Sequence, residues 1–147
     1  MALTHLVDTS VLTRLGEPDV RAALESLAAI GRVGRSGISD LEVGYSARSA
    51  REWDNLQTAL SAFELVETEA RHMKRARQVQ RMLAGRSQRG RKVPDLLVAA
   101  TAEEAGLIVL HYDADFDRIA AVTGQKCEWV AAPGSIDRVK CSPGAAC

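Results

Sequence analysis

The sequence predicts an α/β fold with a mostly parallel central sheet. Short apolar runs alternate with helical patterns along the chain, and this order is typical of βαβ units. The run at 107–111 is apolar and uninterrupted, as strands of a parallel sheet tend to be because both faces of that sheet are covered. A chain of 147 residues, of which 46% are hydrophobic, is long enough and apolar enough to build one real core.

Apolar spacing and the residues that favour helix ends predict each element in order. The predicted strands are residues 4–8, 35–39, 65–66, 107–111 and 127–131. The predicted helices are a short one after Ser10, followed by 18–30, 39–51, 52–63, 69–84, 94–104 and 116–122. Pro18 suits the first turn of its helix, and Gly106 suits the end of the sixth helix. That sixth helix is apolar on every side, so we expect it to be buried nearly all round.

Composition separates a domain at residues 1–132 from a C-terminal tail at 133–147, which is rich in Gly, Pro, Ser and other small residues. The three cysteines, an odd number without a CxxC pair, fit neither a disulfide scaffold nor a structural zinc site. A reducing, cytoplasmic setting is therefore expected. There is no signal-peptide pattern and no apolar run of the roughly 20 residues that cross a bilayer, so no membrane association is expected.

Acidic residues stand at positions that a parallel sheet would bring together. Asp8 follows the first predicted strand, and Asp113 and Asp115 follow the fourth. Glu42 and Asp95 lie in the first turns of helices that should begin at the same edge. Because open α/β sheets bind ligands at the carboxyl ends of their strands, we expect all five carboxylates to converge in one pocket.

Several of these acids also have a structural interpretation. Asp8 could cap a helix, and Asp95 could be stabilised by the positive end of a helix dipole. Residues 39–42 match the S-x-x-E capping box, in which Glu42 would bond the backbone of Ser39. Taken one at a time, these structural roles compete well with a catalytic role, so the argument for a site depends on the combination.

Asp113 and Asp115 open a D-x-D-x-D pattern that resembles the start of a calcium-binding loop. The sixth position of such a loop requires Gly and the twelfth requires Glu, whereas this chain has Arg118 and Gly124 there. A calcium loop is therefore excluded, and an ordinary Asp-rich turn is the alternative to a catalytic role.

Clustered carboxylates repel one another unless a cation neutralises them, and Mg²⁺ suits such a cluster. Mg²⁺ binds one or two carboxylates, keeps several waters and accepts phosphate oxygens. It also makes a bound water more acidic and orients it for in-line attack on phosphorus. Such a site needs no Ser, Cys or His nucleophile. Accordingly, His5 and His72 are expected to be structural, and His111 ends a strand beside the site without an evident role.

The net charge of zero hides one strongly basic segment. Residues 71–92 hold nine Lys or Arg and no Asp or Glu. A helix is predicted at 69–84, with Thr68 as its N-cap and Gly85 at its end. Its predicted inner face consists of His72, Met73, Ala76, Val79 and Leu83.

The basic side chains of this segment form a stripe and a loop that lead toward Asp95. The stripe and the loop comprise Lys74, Arg77, Arg81, Arg86, Arg89, Arg91 and Lys92. One interpretation is a solvated helix face. The functional interpretation is a track of phosphate contacts that guides RNA to the metal.

Four motifs in this order resemble the PIN-domain ribonucleases, and among them the VapC-type toxins of bacterial toxin–antitoxin pairs. The motifs are residues 7–12, 39–42, 93–102 and 109–116, and the resemblance covers about residues 4–132. It implies a three-layer α/β/α sandwich and an endoribonuclease that depends on Mg²⁺ or Mn²⁺. It also implies a homodimer and a cognate VapB-type antitoxin that blocks the site.

Carried over by motif, the resemblance implies a role for each acid. Asp8 and Asp95 would be the main metal ligands, and Glu42 would complete the site or orient the water. Either Asp113 or Asp115 would be the fourth acid. Thr9 or Ser10 would hold the pocket by hydrogen bonds. The competing functions are a non-catalytic RNA- or antitoxin-binding module, and a nuclease or phosphatase that acts on another phosphoester.

Overall fold

The computed structural model describes residues 2–88 and 92–136. The strands are β1 His5–Val7, β2 Val33–Ser36, β3 Glu64–Val66, β4 Ile108–His111 and β5 Cys127–Trp129. The helices are α1 Thr9–Leu12, α2 Pro18–Ala28, α3 Gly37–Tyr45, α4 Ala50–Leu60, α5 Ala70–Gly85, α6 Val93–Ala105 and α7 Asp115–Thr123. Arg89, Arg91 and most of the predicted tail lie outside the described residues, and the tail boundary at 132 stays a prediction.

The five strands form one parallel sheet in the order β3-β2-β1-β4-β5. Leu6 of β1 is in register with Gly34 of β2 on one side and with Val109 of β4 on the other. The predicted α/β class with a parallel sheet is therefore confirmed. From β1 the chain adds β2 and β3 on one side, and it then crosses to add β4 and β5 on the other. The crevice of such a sheet opens where the strand order reverses, here between β1 and β4.

Helices cover both faces of the sheet, so the molecule has the three layers that the resemblance implies. Successive residues of a strand point to opposite faces. Leu6 packs with α5, α6 and α7 side chains, including the fully buried Phe116 and Ile119. Val7 packs on the other face with Val11 and Val20, which belong to α1 and α2.

Helix α6 is buried nearly all round, as its apolar sequence predicts. Every residue from Asp95 to Ala102 is buried, and Gly106 ends the helix with a φ of 70°. Helix α5 runs antiparallel to α6 on its outer side. Arg75 Nε lies 2.6 Å from Glu103 Oε1, and His72 Nε2 lies 2.7 Å from Glu104 Oε2, so the start of α5 is fastened to the end of α6.

The helix predicted at 39–51 differs from the structure at both ends. It begins at Gly37, because the hydroxyl of Ser36 accepts from the backbone N–H of Ser39 at 3.3 Å and takes the cap position. It ends at Tyr45, and α4 begins separately after Ser49. The two helices cross closely at Gly44, where a Cβ atom would lie 2.6 Å from Trp53 Nε1.

The prediction for the start and inner face of α5 was also wrong in two details. Thr68 does not cap the helix, because its hydroxyl lies 2.8 Å from the hydroxyl of Thr101 on α6. The helix begins instead after Glu69, whose backbone N–H donates to His72 Nδ1 at 2.8 Å. Met73 is 52% exposed, while the other four predicted inner residues are buried. Along the described part of the chain, no helix is long and apolar enough to span a bilayer.

Candidate active site

A polar cleft of about 450 Å³ opens at the carboxyl ends of β1 and β4. It lies at the reversal of strand order, where the sheet topology predicts a ligand site. Its lining residues are Asp8, Thr9, Ser10, Thr13, Arg14, Glu42, Lys92, Asp95, Tyr112, Asp113 and Ala114. Four of the five acids that the sequence singled out therefore share this cleft, and the fifth, Asp115, lies beside Asp113.

The structure is compatible with both interpretations of Asp8, as a helix cap and as a residue of the candidate site. It is the N-cap of α1, and its Oδ2 accepts from the backbone N–H of Ser10 at 3.0 Å. Its other oxygen, Oδ1, is buried and has no hydrogen-bond partner among residues 2–88 and 92–136. The residue is only 2% exposed, so water satisfies little of this carboxylate. One oxygen caps the helix, and the other remains available to a cation.

Asp95, which lines the same cleft, also has one carboxylate oxygen that is buried without a hydrogen bond from the described residues. It lies in the first turn of α6 and is 4% exposed. Its Oδ2 is buried without a hydrogen-bond partner in the part of the chain that the structure describes. A helix dipole stabilises an acid at this position, but it does not satisfy a desolvated oxygen. Buried polar atoms normally have a partner, and a cation would satisfy these two carboxylate oxygens.

Burial and mutual repulsion change how these acids hold protons. Burial, together with the charges of Asp8 and Asp113, raises the pKa of Asp95 from 3.8 to about 8. Burial also raises the pKa of Asp8, although Ser10 donates to it. Burial acts in the same direction on Asp113, but the N–H of Asp115 and the ammonium of Lys92 hold its pKa below the usual value. Without a bound cation, burial and these neighbouring charges therefore favour the neutral form of Asp95.

The sequence left Asp113 and Asp115 as alternatives for the fourth acid of the site. One carboxylate oxygen each from Asp95, Asp113 and Asp115 lie within 4.8 Å of one another, so both candidates reach the same point. Asp113 lines the cleft, and Lys92 Nζ lies 3.2 Å from its Oδ2. Asp115 is paired with Arg118 at 3.0 Å. The geometry therefore favours Asp113, with Asp115 supporting the turn through its N–H.

Glu42 does not form the capping box that its sequence pattern allows. Thr9 Oγ1 donates to Glu42 Oε1 at 2.8 Å and lies 3.0 Å from Ser39 Oγ. The carboxylate of Glu42 is thus held at the cleft by a hydroxyl from the neighbouring helix. Ser10 acts similarly, because its Oγ accepts from the backbone N–H of Tyr112 at 2.9 Å and ties α1 to the end of β4.

The structure separates the basic residues of α5 into two groups. Arg71 and Arg75 pair with Glu104 and Glu103 of α6 and are not available as a track. Lys74, Arg77 and Arg81 instead line a shallow groove on the outer side of α5. Because α5 runs antiparallel to α6, this stripe rises toward the end of α6 that carries Asp95. Arg86 and Lys92 lie at that end. Arg89 and Arg91 are outside the described residues.

Four residues that line the cleft were not predicted from the sequence, namely Thr13, Arg14, Tyr112 and Ala114, and two of them, Arg14 and Tyr112, contact each other. Arg14 Nη1 donates to the carbonyl of Ser10 at 2.7 Å, and its guanidinium carbon lies 4.8 Å from the centre of the Tyr112 ring. The available signal was position: Tyr112 follows β4 just as Asp8 follows β1. His111, for which no role was evident, is fully buried, and its Nδ1 accepts from the N–H of Asp113 at 3.2 Å. It therefore supports the turn that carries the fourth acid.

Comparisons with known proteins agree with this architecture. The PIN domain family matches residues 5–122. Ribonuclease VapC51 of Mycobacterium tuberculosis (strain ATCC 25618 / H37Rv) is 63% identical over 137 residues, which cover 93% of this chain and 100% of that relative. Ribonuclease VapC21 of Mycobacterium tuberculosis (strain CDC 1551 / Oshkosh) is 44% identical over 137 residues, covering 92% and 99%. The crystal structure of DNA-bound VapBC from Salmonella typhimurium has a similar fold, with a TM-score of 0.74 at 20% identity, covering 88% of this chain and 99% of that one.

Asp95→Asn is expected to stabilise the protein at alkaline pH in EDTA. The folded-state pKa of Asp95 is raised to about 8, whereas an Asp in the unfolded chain ionises near its usual pKa of about 4. Folding therefore takes up a proton between these values, and the free energy of unfolding falls as the pH rises through this window. Above pH 8 Asp95 is ionised in the folded protein, so the full free-energy cost of the buried charge is present. Asn carries no charge, and the variant therefore lacks this cost.

Urea unfolding at a series of pH values measures this effect. At pH 8.5 the variant should be more stable than wild type by roughly 1–3 kcal/mol, and the gain should shrink toward pH 5. Asp54→Asn, which changes an exposed acid on α4, is the matched control and should follow the wild-type curve. If the free energy of unfolding of wild type and of Asp95→Asn changed with pH in parallel, the raised pKa of Asp95 would be contradicted.

Proposed function

The chain belongs to the PIN domain family, and we propose that it is the endoribonuclease toxin of a toxin–antitoxin pair, acting with a divalent cation. The observation that carries this proposal is a pair of buried oxygens, one on Asp8 and one on Asp95, that lie in one cleft and have no hydrogen-bond partner among the described residues. The names of its relatives, which are VapC ribonucleases, support RNA as the substrate. A non-catalytic binding module would have no need to desolvate these carboxylates, because their burial destabilises the fold.

Mg²⁺ or Mn²⁺ is the cation that we propose, because the available ligands are carboxylate oxygens. Asp8 and Asp95 would hold the ion, and Asp113 would add a third carboxylate. When bound, the ion supplies positive charge to the phosphate oxygens and acidifies a water molecule. Glu42 is suited to orient the attacking water, because Thr9 fixes one of its oxygens and leaves the other for that task.

The basic stripe of α5 supports a path for the RNA. We propose that Lys74, Arg77 and Arg81 contact successive phosphates and that Arg86 and Lys92 continue the path into the cleft. Arg89 and Arg91 belong to the same proposal by their position in the sequence. From Lys74 to Arg81 an α-helix rises about 10 Å, which is enough to meet more than one phosphate. Such contacts position a strand without reading its bases.

The surface of α3 supports a protein partner next to the acids. Leu41 is 72% exposed and Tyr45 is 92% exposed, and the i, i+4 spacing places them on one side of the helix that carries Glu42. Large exposed apolar side chains commonly mark protein interfaces. We propose that an antitoxin of the VapB type covers this surface and thereby closes the cleft. We also propose a homodimer, which rests on the family resemblance.

Asp8→Asn is expected to abolish RNA cleavage while leaving the fold intact. Asn can still accept the N–H of Ser10, so the cap of α1 is retained, but the charge that would bind the cation is lost. We expect activity to fall by roughly a hundredfold or more, since even residues that only support metal ligands often contribute 10- to 100-fold. A fluorogenic RNA in Mg²⁺ or Mn²⁺ measures this. Asp19→Asn, an exposed acid on α2, is the control. Full activity of Asp8→Asn, or of wild type in EDTA, would overturn the mechanism.

The double substitution Arg77→Gln/Arg81→Gln is expected to weaken RNA binding to a similar extent for all sequences. If both side chains contact phosphates of a single strand, the slope of log K against log salt should become shallower by about 1.4. Binding is measured in the Asp8→Asn background so that the RNA stays intact. Arg21→Gln/Lys126→Gln removes the same charge from other surfaces and should keep the wild-type slope. An unchanged slope in the α5 variant would exclude the track.

A further inference from the structure

Lys92 lies at the N-terminus of a helix, where the helix dipole disfavours a positively charged side chain. It is the N-cap residue of α6, and its side chain makes no capping hydrogen bond with the described residues of that helix. The N-terminus of a helix carries partial positive charge, and capping residues normally present an oxygen there. Residues that break a local rule in this way often do so for function. The negative charges of the acids in the cleft attract the ammonium of Lys92 and can hold it at this position.

The ammonium of Lys92 lies against one of the two carboxylate oxygens of Asp113, and the other oxygen already accepts a hydrogen bond. Asp113 Oδ1 already accepts the backbone N–H of Asp115 at 2.9 Å. Its Oδ2 lies 3.2 Å from Lys92 Nζ. Oxygens of Asp95, Asp113 and Asp115 converge within 4.8 Å, so a cation bound there would compete with the ammonium for the same carboxylate.

We propose that Lys92 is an internal counter-cation that couples metal binding to RNA binding. Without metal, its ammonium neutralises Asp113 and lowers the affinity of the cleft for a divalent ion. When the ion enters, the ammonium leaves Asp113 and becomes available to an RNA phosphate at the mouth of the cleft. This inference rests on the proposed metal-dependent function and adds to it a residue that sets the order and strength of binding.

The contact is suited to this exchange. The Lys92 side chain is 65% exposed and that of Asp113 is 19% exposed, and ion pairs near the surface contribute little stability. Lysine is a point charge on a flexible stem, so it can change partner without moving the backbone. Because coupling between two ligands is reciprocal, RNA that attracts the ammonium should strengthen metal binding by the same factor by which metal strengthens RNA binding.

Calorimetric titration of the full chain with Mg²⁺ alone, at pH 8.5, tests the first half of the proposal. Lys92→Met keeps the length of the side chain and removes its charge, and we expect it to bind Mg²⁺ roughly three- to tenfold more tightly than wild type. Lys92→Arg keeps the charge and should resemble wild type. Lys126→Met removes the same charge at the opposite edge of the sheet and should also resemble wild type.

The second half is tested with an RNA strand whose bridging phosphodiester oxygens are replaced by methylene groups, because a metal-activated water cannot hydrolyse the resulting phosphonate linkages. Lys92→Met should bind this strand several-fold more weakly in Mg²⁺ than wild type does, and added strand should tighten Mg²⁺ binding less than in wild type. Opposite effects on metal and on nucleic acid distinguish this role from a structural one, because a misfolded cleft would weaken both.

The outcomes separate this proposal from the proposed function. If wild type binds Mg²⁺ and Asp8→Asn does not, but Lys92→Met binds Mg²⁺ no more tightly than wild type, only the role of Lys92 is overturned. If Lys92→Met binds Mg²⁺ more tightly but binds the strand normally, transfer of the ammonium to phosphate is overturned. If wild type binds no Mg²⁺, the metal-dependent function fails together with the inference.

Discussion

Repulsion among buried carboxylates is the constraint on which this molecule depends. The parallel pairing of β1 with β4 aligns Val7 with Leu110, so the two strands end side by side. Asp8 and Asp113, which follow these strands, therefore lie at the same edge of the sheet. The first turn of α6 adds Asp95. Each carboxylate is stabilised in a different way. The N–H of Ser10 donates to Asp8, the raised pKa of Asp95 favours its neutral form, and the ammonium of Lys92 lies against Asp113. These arrangements are what a divalent cation would replace.

The rest of the fold holds this arrangement rigidly. Helix α6 is buried along eight successive residues, so Asp95 stands on an element that cannot easily shift. The close crossing of α3 and α4 at Gly44 and the hydroxyl of Thr9 fix Glu42. Preorganised ligands on rigid elements are what metal sites require, because small displacements weaken them. The cost is a local loss of stability, which proteins commonly accept at functional sites.

Much of the fold and the acids of the site could be predicted because their signals are local. The apolar composition of the run at 107–111 and of the helix after Pro94 predicts that both are buried. The positions of Asp8 and Asp113 directly after strands predict that both lie at the edge of the sheet. The failures have a common cause in contacts between distant residues. The pattern at Ser39 indicated a capping box, but Glu42 is held instead by Thr9, which lies 33 residues earlier. No local pattern contains that partner.

The same limit explains the errors in the helices and why the contact of Lys92 with Asp113 could not be predicted. Thr68 was expected to cap α5, but a hydroxyl on α6 offers it a better partner. Met73 belongs to the apolar pattern of α5, yet it lies beyond the edge of the buried stripe. Lys92 was assigned to a basic track, and its contact with Asp113 depends on the packing of α6 against β4.

The central claim is that Asp8 and Asp95 hold one divalent cation between them. Anomalous diffraction from crystals of the protein grown with Mn²⁺ tests it directly. The account predicts a manganese peak in the cleft, at a coordination distance of about 2–2.3 Å from Asp8 Oδ1 and Asp95 Oδ2. A fully soaked crystal with no peak in the cleft, or a peak that touches neither carboxylate, would contradict it.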